Sequence, residues 1–222
     1  MGLSEDHWLS EQIGKPVFRL SGEPPEILPA GFIYSKLPTG DLPLLGRLQN
    51  LGFQLIDTAV TFESPIPLPI PGTLGPQFRM AKPGDEADVV RIARESFILD
   101  RFHADPAIPN EVADRVKEAW VGNYFSGKRG DWLVIADAGG KPAGFLLLLD
   151  SDGKLVIDLI AVAKAHRGSG LARGMIAFAA STLTQFYTML VATQIANIPS
   201  MRLYEGIGFR LVGAQYILHS HR

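Results

Sequence analysis

The chain contains no cysteine. That absence excludes disulfide staples, a thiol nucleophile and thiolate metal sites, and it agrees with a cytoplasmic setting. Long apolar runs are also missing. The longest, residues 144–149, has the length of a buried strand, far below the roughly 18 residues that cross a bilayer. The opening MGLSEDHWLSEQ is acidic and carries no apolar core, so it does not read as a secretory signal. Neither sign of charge is in excess. With 21 basic and 23 acidic side chains the formal net charge is −2, which gives no reason to expect nucleic acid or a membrane as partner.

What is present fits a globular protein. Of 222 residues, 46% are hydrophobic and 20% charged, enough for a sizeable core and one to two domains. Proline is concentrated in SPIPLPIPGTLGP (64–76), where alternating Pro removes ladder donors and favours an extended, semi-rigid spacer. This segment is the expected boundary between a small N-terminal α/β module (1–63) and a larger domain (77–222). In the module, residues 17–20, 32–36 and 53–62 pattern as strands and 42–51 as a helix ending at Gly52. Charge divides unevenly: residues 1–75 hold four basic and eight acidic side chains (−4), leaving 17 against 15 (+2) for the remainder. A mildly positive domain suits a polyanionic cofactor.

Beyond residue 77 the patterns give a strand at 77–80, a helix from Pro83-Gly84-Asp85 to about Phe97, a polar loop at 98–108 and a helix at 110–126. Strands follow at 132–136 and 143–149, joined through Gly139-Gly140, and then at 155–162. A helix reaches about Phe186, a strand covers 189–193, and a short helix from Pro199 stops at Gly206 or Gly208 before a last strand.

Two stretches carry chemistry. In VIDLIAVAKAHRGSGLARGMIAFAA (156–180) an apolar strand runs through a basic turn into Arg167-Gly168-Ser169-Gly170-Leu171-Ala172 and then a helix. A glycine-punctuated loop at a helix N-terminus presents unpaired N–H groups to an anion, and Gly168 and Gly170 let the backbone approach closely. In TMLVATQIANIPSMRLYEGIGFRLVG (188–213) a strand leads to Asn197, a helix carrying Leu203-Tyr204-Glu205, and Gly208-Phe209. Together, in this order, the two stretches resemble the acyl-CoA loop and the closing strand–Asn–Tyr helix of the GCN5-related N-acetyltransferases (GNAT). The resemblance implies an α/β chain with a mixed sheet, in which two parallel strands splay and acyl-CoA enters the gap.

The resemblance also implies roles. The pyrophosphate of acetyl-CoA would meet Arg167, Gly168, Ser169, Gly170, Leu171 and Ala172. The pantetheine arm would pair with Leu159, Ile160, Ala161 and Val162, with an N–H near Ile160 facing the thioester oxygen. Asn197 would hold the arm from the other side, or serve as a helix N-cap, or both. Tyr204 takes the general-acid position; a phenol near ~10 can protonate a thiolate whose acid titrates near ~8.5. Asp158 shares side-chain parity with Val156 and Ile160. It is a candidate to take a proton from, or hold, the incoming ammonium if that face looks into the cleft, and a peripheral carboxylate if it does not. The loop with Arg101, His103 and Asp105 lies where family members bind the acceptor; the ordinary alternative is a helix-end Arg and a surface His. No metal is implied.

LQNLGFQLIDTAVTFE (48–63), DRFHADP (100–106), AWVGNY (119–124), Gly-Lys-Arg-Gly-Asp (127–131) and VATQIAN (191–197) further resemble the dTDP-fucosamine acetyltransferase group. That implies a nucleotide-sugar acceptor, the 4-amino group of a dTDP-4-amino-4,6-dideoxyhexose. The alternatives are another amine (amino acid, antibiotic or protein) or a non-catalytic acyl-CoA-binding module. Assembly as a homodimer is left open.

Overall fold

Apolar runs along 132–162, buried on both faces, fold as an antiparallel meander of three strands within a single sheet. The structure, a computed structural model, describes residues 2–68 and 77–222. Among these residues the elements run β1 (Gly2–Glu5), α1 (His7–Ile13), β2 (Val17–Ser21), β3 (Phe32–Pro38), α2 (Leu42–Asn50), β4 (Gln54–Pro65), β5 (Phe78–Met80), α3 (Glu86–Ser96) and α4 (Asn110–Phe125). They continue with β6 (Trp132–Ala138), β7 (Lys141–Ser151), β8 (Lys154–Val162), α5 (Leu171–Thr182), β9 (Thr188–Gln194), α6 (Ile198–Gly206) and β10 (Arg210–His221).

The ten strands form one sheet in the order β1-β2-β3-β10-β4-β9-β8-β7-β6-β5. This mixed α/β architecture agrees with the expected fold class. The expected boundary at 64–76 falls between the end of β4 and the start of β5. Residues 64 and 65 end β4, which lies between β10 and β9, and residues 69–76 lie outside the described residues. The N-terminal segment therefore supplies a central strand. It also buries a cluster of its own, Leu20, Ile33, Leu37, Leu44, Leu48 and Phe53 with Leu218 of β10, while Val60 and Phe62 of β4 are buried in the main core. The sequence pattern also missed β1 and α1. Helix α1 is short, started by the Asp6 carboxylate accepting the Leu9 N–H and stopped by Gly14 in the left-handed region. Helix α5 ends at Thr182 rather than near Phe186.

Helices cover both faces. On one, α5 and α6 pack Met175, Ile176, Ala179 and Tyr204 against β4, β6, β7, β8 and β9. On the other, α3 and α4 pack Val89, Ile92 and Val121 against Leu133, Ile135, Phe145, Leu147, Leu159 and Ala161. Farther along that second face, α1, α4 and Phe102 cover Val17, Phe32 and Tyr34. Helix α5 lies close to the sheet because of Gly174: a Cβ there would meet the Phe78 ring at 2.1 Å.

Candidate active site

Strand β8 is parallel to β9 for only three residue pairs, Leu155–Met189, Val156–Leu190 and Ile157–Val191. From Asp158 on, β8 keeps its partner β7 but has none on the β9 side. The Ala163 N–H donates to the Ala143 carbonyl of β7 at 2.8 Å. Because backbone direction alternates along a strand, the N–H and C=O groups of Ile160 and Val162 point into the gap, and those of Leu159 and Ala161 toward β7. The Val162 carbonyl accepts the Arg167 Nε–H at 3.1 Å. The Ile160 N–H therefore faces open space, as an oxyanion donor must.

At the end of β8, Lys164–His166 form a single helical turn and the chain enters the glycine loop. Gly168 and Gly170 have φ of +78° and +81°, a region that favours glycine. Gly170 is the N-cap of α5 and offers no side-chain acceptor. Among the described residues, no acceptor takes the N–H groups of Gly168, Ser169, Gly170, Leu171 or Ala172. Five exposed amides at a helix N-terminus form an anion cradle. The Ser169 hydroxyl is turned back onto the His166 carbonyl.

Tyr204 is 2% exposed, with its ring centroid 5.9 Å from that of Phe62 and 5.8 Å from that of Phe209. Its hydroxyl bonds to no described residue, yet no fully buried side-chain N or O lacks a partner, so the hydroxyl oxygen reaches open space. Burial pushes the phenol well above its ordinary range, so it is protonated at any working pH. Its mismatch with a thiol is larger than the sequence argument assumes. Asn197 is the N-cap of α6, its side-chain carbonyl accepting the Ser200 N–H at 3.3 Å. Its side-chain NH₂ donates to no described residue.

Asp158 sits in a bulge. Leu147 pairs with Leu159 and Leu148 with Ile157, leaving Asp158 as the extra residue. The bulge overturns part of the parity argument. Asp158 and Leu159 both face α4, whereas Ile160 and Val162 pack on the α5 side. The Asp158 carboxylate takes Arg129 in a two-pronged pair (2.8 and 2.7 Å) and the Trp120 indole N–H (2.8 Å).

The loop at 98–108 is less available than its sequence suggests. The His103 ring is clamped between Asp100 (2.7 Å) and Asp114 (3.0 Å), with its side chain 7% exposed. Asp105 is buried and accepts the Nδ1–H of His219 (2.6 Å), the Nε2–H of His221 (2.7 Å) and the Ala107 N–H (2.9 Å). Burial alone would raise its carboxyl, but these donors outweigh it and hold it down at about 2. The side chains of His103 and Asp105 are thus engaged by the protein's own groups. Asp105 reaches Arg101 through His219. Its guanidinium stands 4.2 Å from the Tyr34 ring centroid and 4.3 Å from that of Phe102, and its Nη1 donates to His219 Nε2 at 3.3 Å. Asp105, His219 and His221 lie close enough to share a cation. Here every ring nitrogen is already engaged, with the Arg101 and Lys15 cations on the outer sides.

The profile of the Acetyltransferase (GNAT) family matches residues 90–209, more than half of the chain. The chain belongs to the GNAT family. It is 30% identical over 140 residues to the spore coat polysaccharide biosynthesis protein SpsD of Bacillus subtilis, a match covering 62% of this chain and 48% of that protein. It therefore spans about half the length of that relative. Its fold is similar to a conserved protein of unknown function from Staphylococcus epidermidis (TM-score 0.65, 12% identity, 96% of this chain and 88% of that one). It is also similar to a GCN5-related N-acetyltransferase from Sphaerobacter thermophilus (TM-score 0.59, 16% identity, 86% and 60%). Among the described residues, no helix is long and apolar enough to cross a membrane.

In this GNAT chain, several residues around the cleft on the α4 side escaped the sequence reading. Lys36 on β3 has the parity of Phe32 and Tyr34, which face α4. Lys36 is exposed, but the surrounding protein thins the water around its ammonium, and this, then the nearby Arg101, Arg19 and Lys117, bring it down to about 8. Lys117 lies in the buried stripe of α4 with Ala113, Val116 and Trp120. Asp57 on β4 is raised by burial, opposed by the Thr58 N–H at 2.7 Å and reinforced by Asp100. Charged residues at core parity were the signal available; nothing local said which core they would face.

Proposed function

We propose that this protein is an N-acetyltransferase that moves the acetyl group of acetyl-CoA to the 4-amino group of a dTDP-4-amino-4,6-dideoxyhexose. The observation that carries the transferase reading is the half-open β8 edge beside five unpaired amides: a slot for an amide-bearing arm ending at an anion cradle. Membership of the GNAT family and the position of Tyr204 support it. The sugar acceptor is supported by similarity to a polysaccharide biosynthesis protein and by the cationic cleft around Arg101.

In this reading the pyrophosphate lies on residues 167–172, with the remaining Arg167 N–H groups turned to it. The pantetheine arm bonds along Leu159–Val162 and the free Asn197 amide. The neutral amine attacks the thioester carbon, forming C–N while the oxygen gathers charge against the Ile160 N–H. The C–S bond then breaks. The departing sulfur takes the Tyr204 proton late, as its charge develops, and the amine proton leaves to water or to a carboxylate, Asp57 or Asp158. Tyr204 recovers its proton from solvent, so the products are the amide and free CoA.

Thiol release should be measured with acetyl-CoA against dTDP-4-amino-4,6-dideoxyhexoses and a panel of amino acids, aminoglycosides and peptides. Turnover on the nucleotide sugars at least about tenfold above the panel is expected. Preference for a small free amine discards the sugar; no thiol release with any amine discards the transferase.

A further inference from the structure

Lys117 is an unusual cation. Its side chain is only 9% exposed, yet its Nζ donates no hydrogen bond to any described residue. The nearest carboxylate oxygen, on Asp100, is 3.9 Å away and already receives the His103 ring N–H. Around the ammonium stand the rings of Phe97, Trp120 and Phe102, at 5.1, 5.1 and 5.6 Å. Since no fully buried side-chain N or O lacks a partner, Nζ must look into accessible space rather than solid core. A nearly buried charge without hydrogen bonds is costly unless something completes it.

Other cations lie nearby on the same side of the sheet. Lys36 from β3 lies within electrostatic reach of Arg19, Arg101 and Lys117. Arg19 pairs in register with Tyr34, whose ring is stacked under Arg101. Among the described residues neither Arg19 nor Lys36 makes a side-chain hydrogen bond, and Arg101 uses one N–H, on His219. The acids nearby are engaged. Asp6 takes the Leu9 N–H and the Tyr34 hydroxyl, and Asp100 takes the Phe102 N–H and His103. Asp158 takes Arg129 and Trp120, and Asp57 the Thr58 N–H. Arg19 and Lys36 are exposed, Arg101 half-buried and Lys117 buried, so the cations run from solvent inward to Lys117 while the nearby carboxylates already hold partners.

We infer that Arg19, Lys36, Arg101 and Lys117 form a phosphate subsite for the acceptor, with Lys117 at its centre. Two ammonium groups and two guanidinium groups from β2, β3, the 98–108 loop and α4 suit a group with several oxygens and about two charges, such as a diphosphate, better than a single carboxylate. Burial and the nearby Arg101 hold the Lys117 ammonium below its ordinary range, with Asp100 opposing; an anion against it restores the charged form. The Asp105–His219–Arg101 chain is the positioning device: neutral His219 accepts from Arg101 while donating to Asp105, which fixes the guanidinium between its two rings. The inference rests on reading this cleft as the acceptor site of a transferase, but its test does not require turnover.

The probe is inorganic pyrophosphate, titrated calorimetrically into protein saturated with CoA so that the glycine loop is occupied. Binding is expected, weakened at least about tenfold in Lys117→Met and several-fold in Lys36→Gln, with CoA affinity unchanged in both. Lys117→Met replaces a nearly buried charge by an apolar side chain of similar length, which cores tolerate, and Lys36→Gln alters an accessible residue. CoA affinity in each variant reports that the fold is intact. No pyrophosphate binding beside CoA, or an affinity within about two-fold of the parent in both variants, overturns the subsite. Pyrophosphate binding that depends on Lys117, together with no turnover on any amine, sinks the transferase reading and keeps the subsite.

Discussion

Between Leu159 and Ala172 the groups that would meet a cofactor are backbone N–H and C=O, on one strand, one loop and one helix start that are contiguous in sequence. Across the sheet, the groups that would meet an acceptor are side chains from β2, β3, β4, the 98–108 loop, α4 and β8, separated by up to about 140 positions. The first region is set by local conformation: a strand that loses its neighbour, two glycines at positive φ, a helix without a side-chain cap. The second is set by which faces meet. A contiguous backbone site tolerates most side-chain changes but not a changed φ; a dispersed side-chain site behaves the opposite way.

The strongest test of that contrast concerns the group between the two regions. Tyr204→Phe removes one oxygen at the gap and should lower kcat by ~10²–10⁴-fold while acetyl-CoA affinity stays within about two-fold. Turnover within about two-fold of the parent from about pH 6 to 9 removes the general-acid role. Next, Gly170→Glu puts a Cβ at a φ of +81° and a carboxylate into the anion cradle. Acetyl-CoA affinity should fall by about 100-fold or more by calorimetry, with pyrophosphate binding on the α4 side unchanged. Loss of both together would mean the two regions are not independent.

On the acceptor side, Arg101→Ala should raise the KM for a dTDP-amino sugar by roughly tens-fold, through lost charge-assisted hydrogen bonds, and leave the acetyl-CoA KM alone. An equal rise in both constants would place Arg101 outside the acceptor site.

The smallest effect concerns the scaffold under Arg101. Burial, against the pull of Asp105, lowers His219 from 6.5 to about 4. The folded state then binds fewer protons than the unfolded chain between those values. His219 therefore contributes stability that is fully present above pH 6.5 and lost as pH falls through 4. Urea melts should show the unfolding free energy falling by up to about 1.4 kcal/mol per pH unit across that window. His219→Gln should flatten the slope; an unchanged slope assigns it to other groups.

Most of the elements were legible because their signals are local. The strands of the 132–162 meander are short apolar runs, Gly139-Gly140 turns it, Asn197 caps α6 with its side chain, and Gly170 begins α5 at a positive φ. The missed α1 is too short for periodicity to register. The central place of β4 was not legible, because the proline content of 64–76 describes a segment's stiffness and says nothing about where the strand before it pairs. Asp158 was read with the wrong neighbour because parity counting assumes an unbroken pleat, and a single bulge residue exchanges the faces of everything after it.

The sequence by itself determined the strand–glycine loop–helix unit, the Tyr204 helix, and hence the GNAT family. Each of these lies within a short window where backbone geometry follows from residue type. Only the tertiary structure decided that β4 lies between β10 and β9 and that β8 and β9 part after Ile157. It also decided that Lys36, Arg101 and Lys117 come within electrostatic reach of one another, while His103 and Asp105 are engaged by neighbouring side chains. The reason is that charge and hydrogen-bonding capacity are properties of a residue, whereas being free or satisfied is a property of its neighbours, and those come from strand order and helix packing across the whole chain.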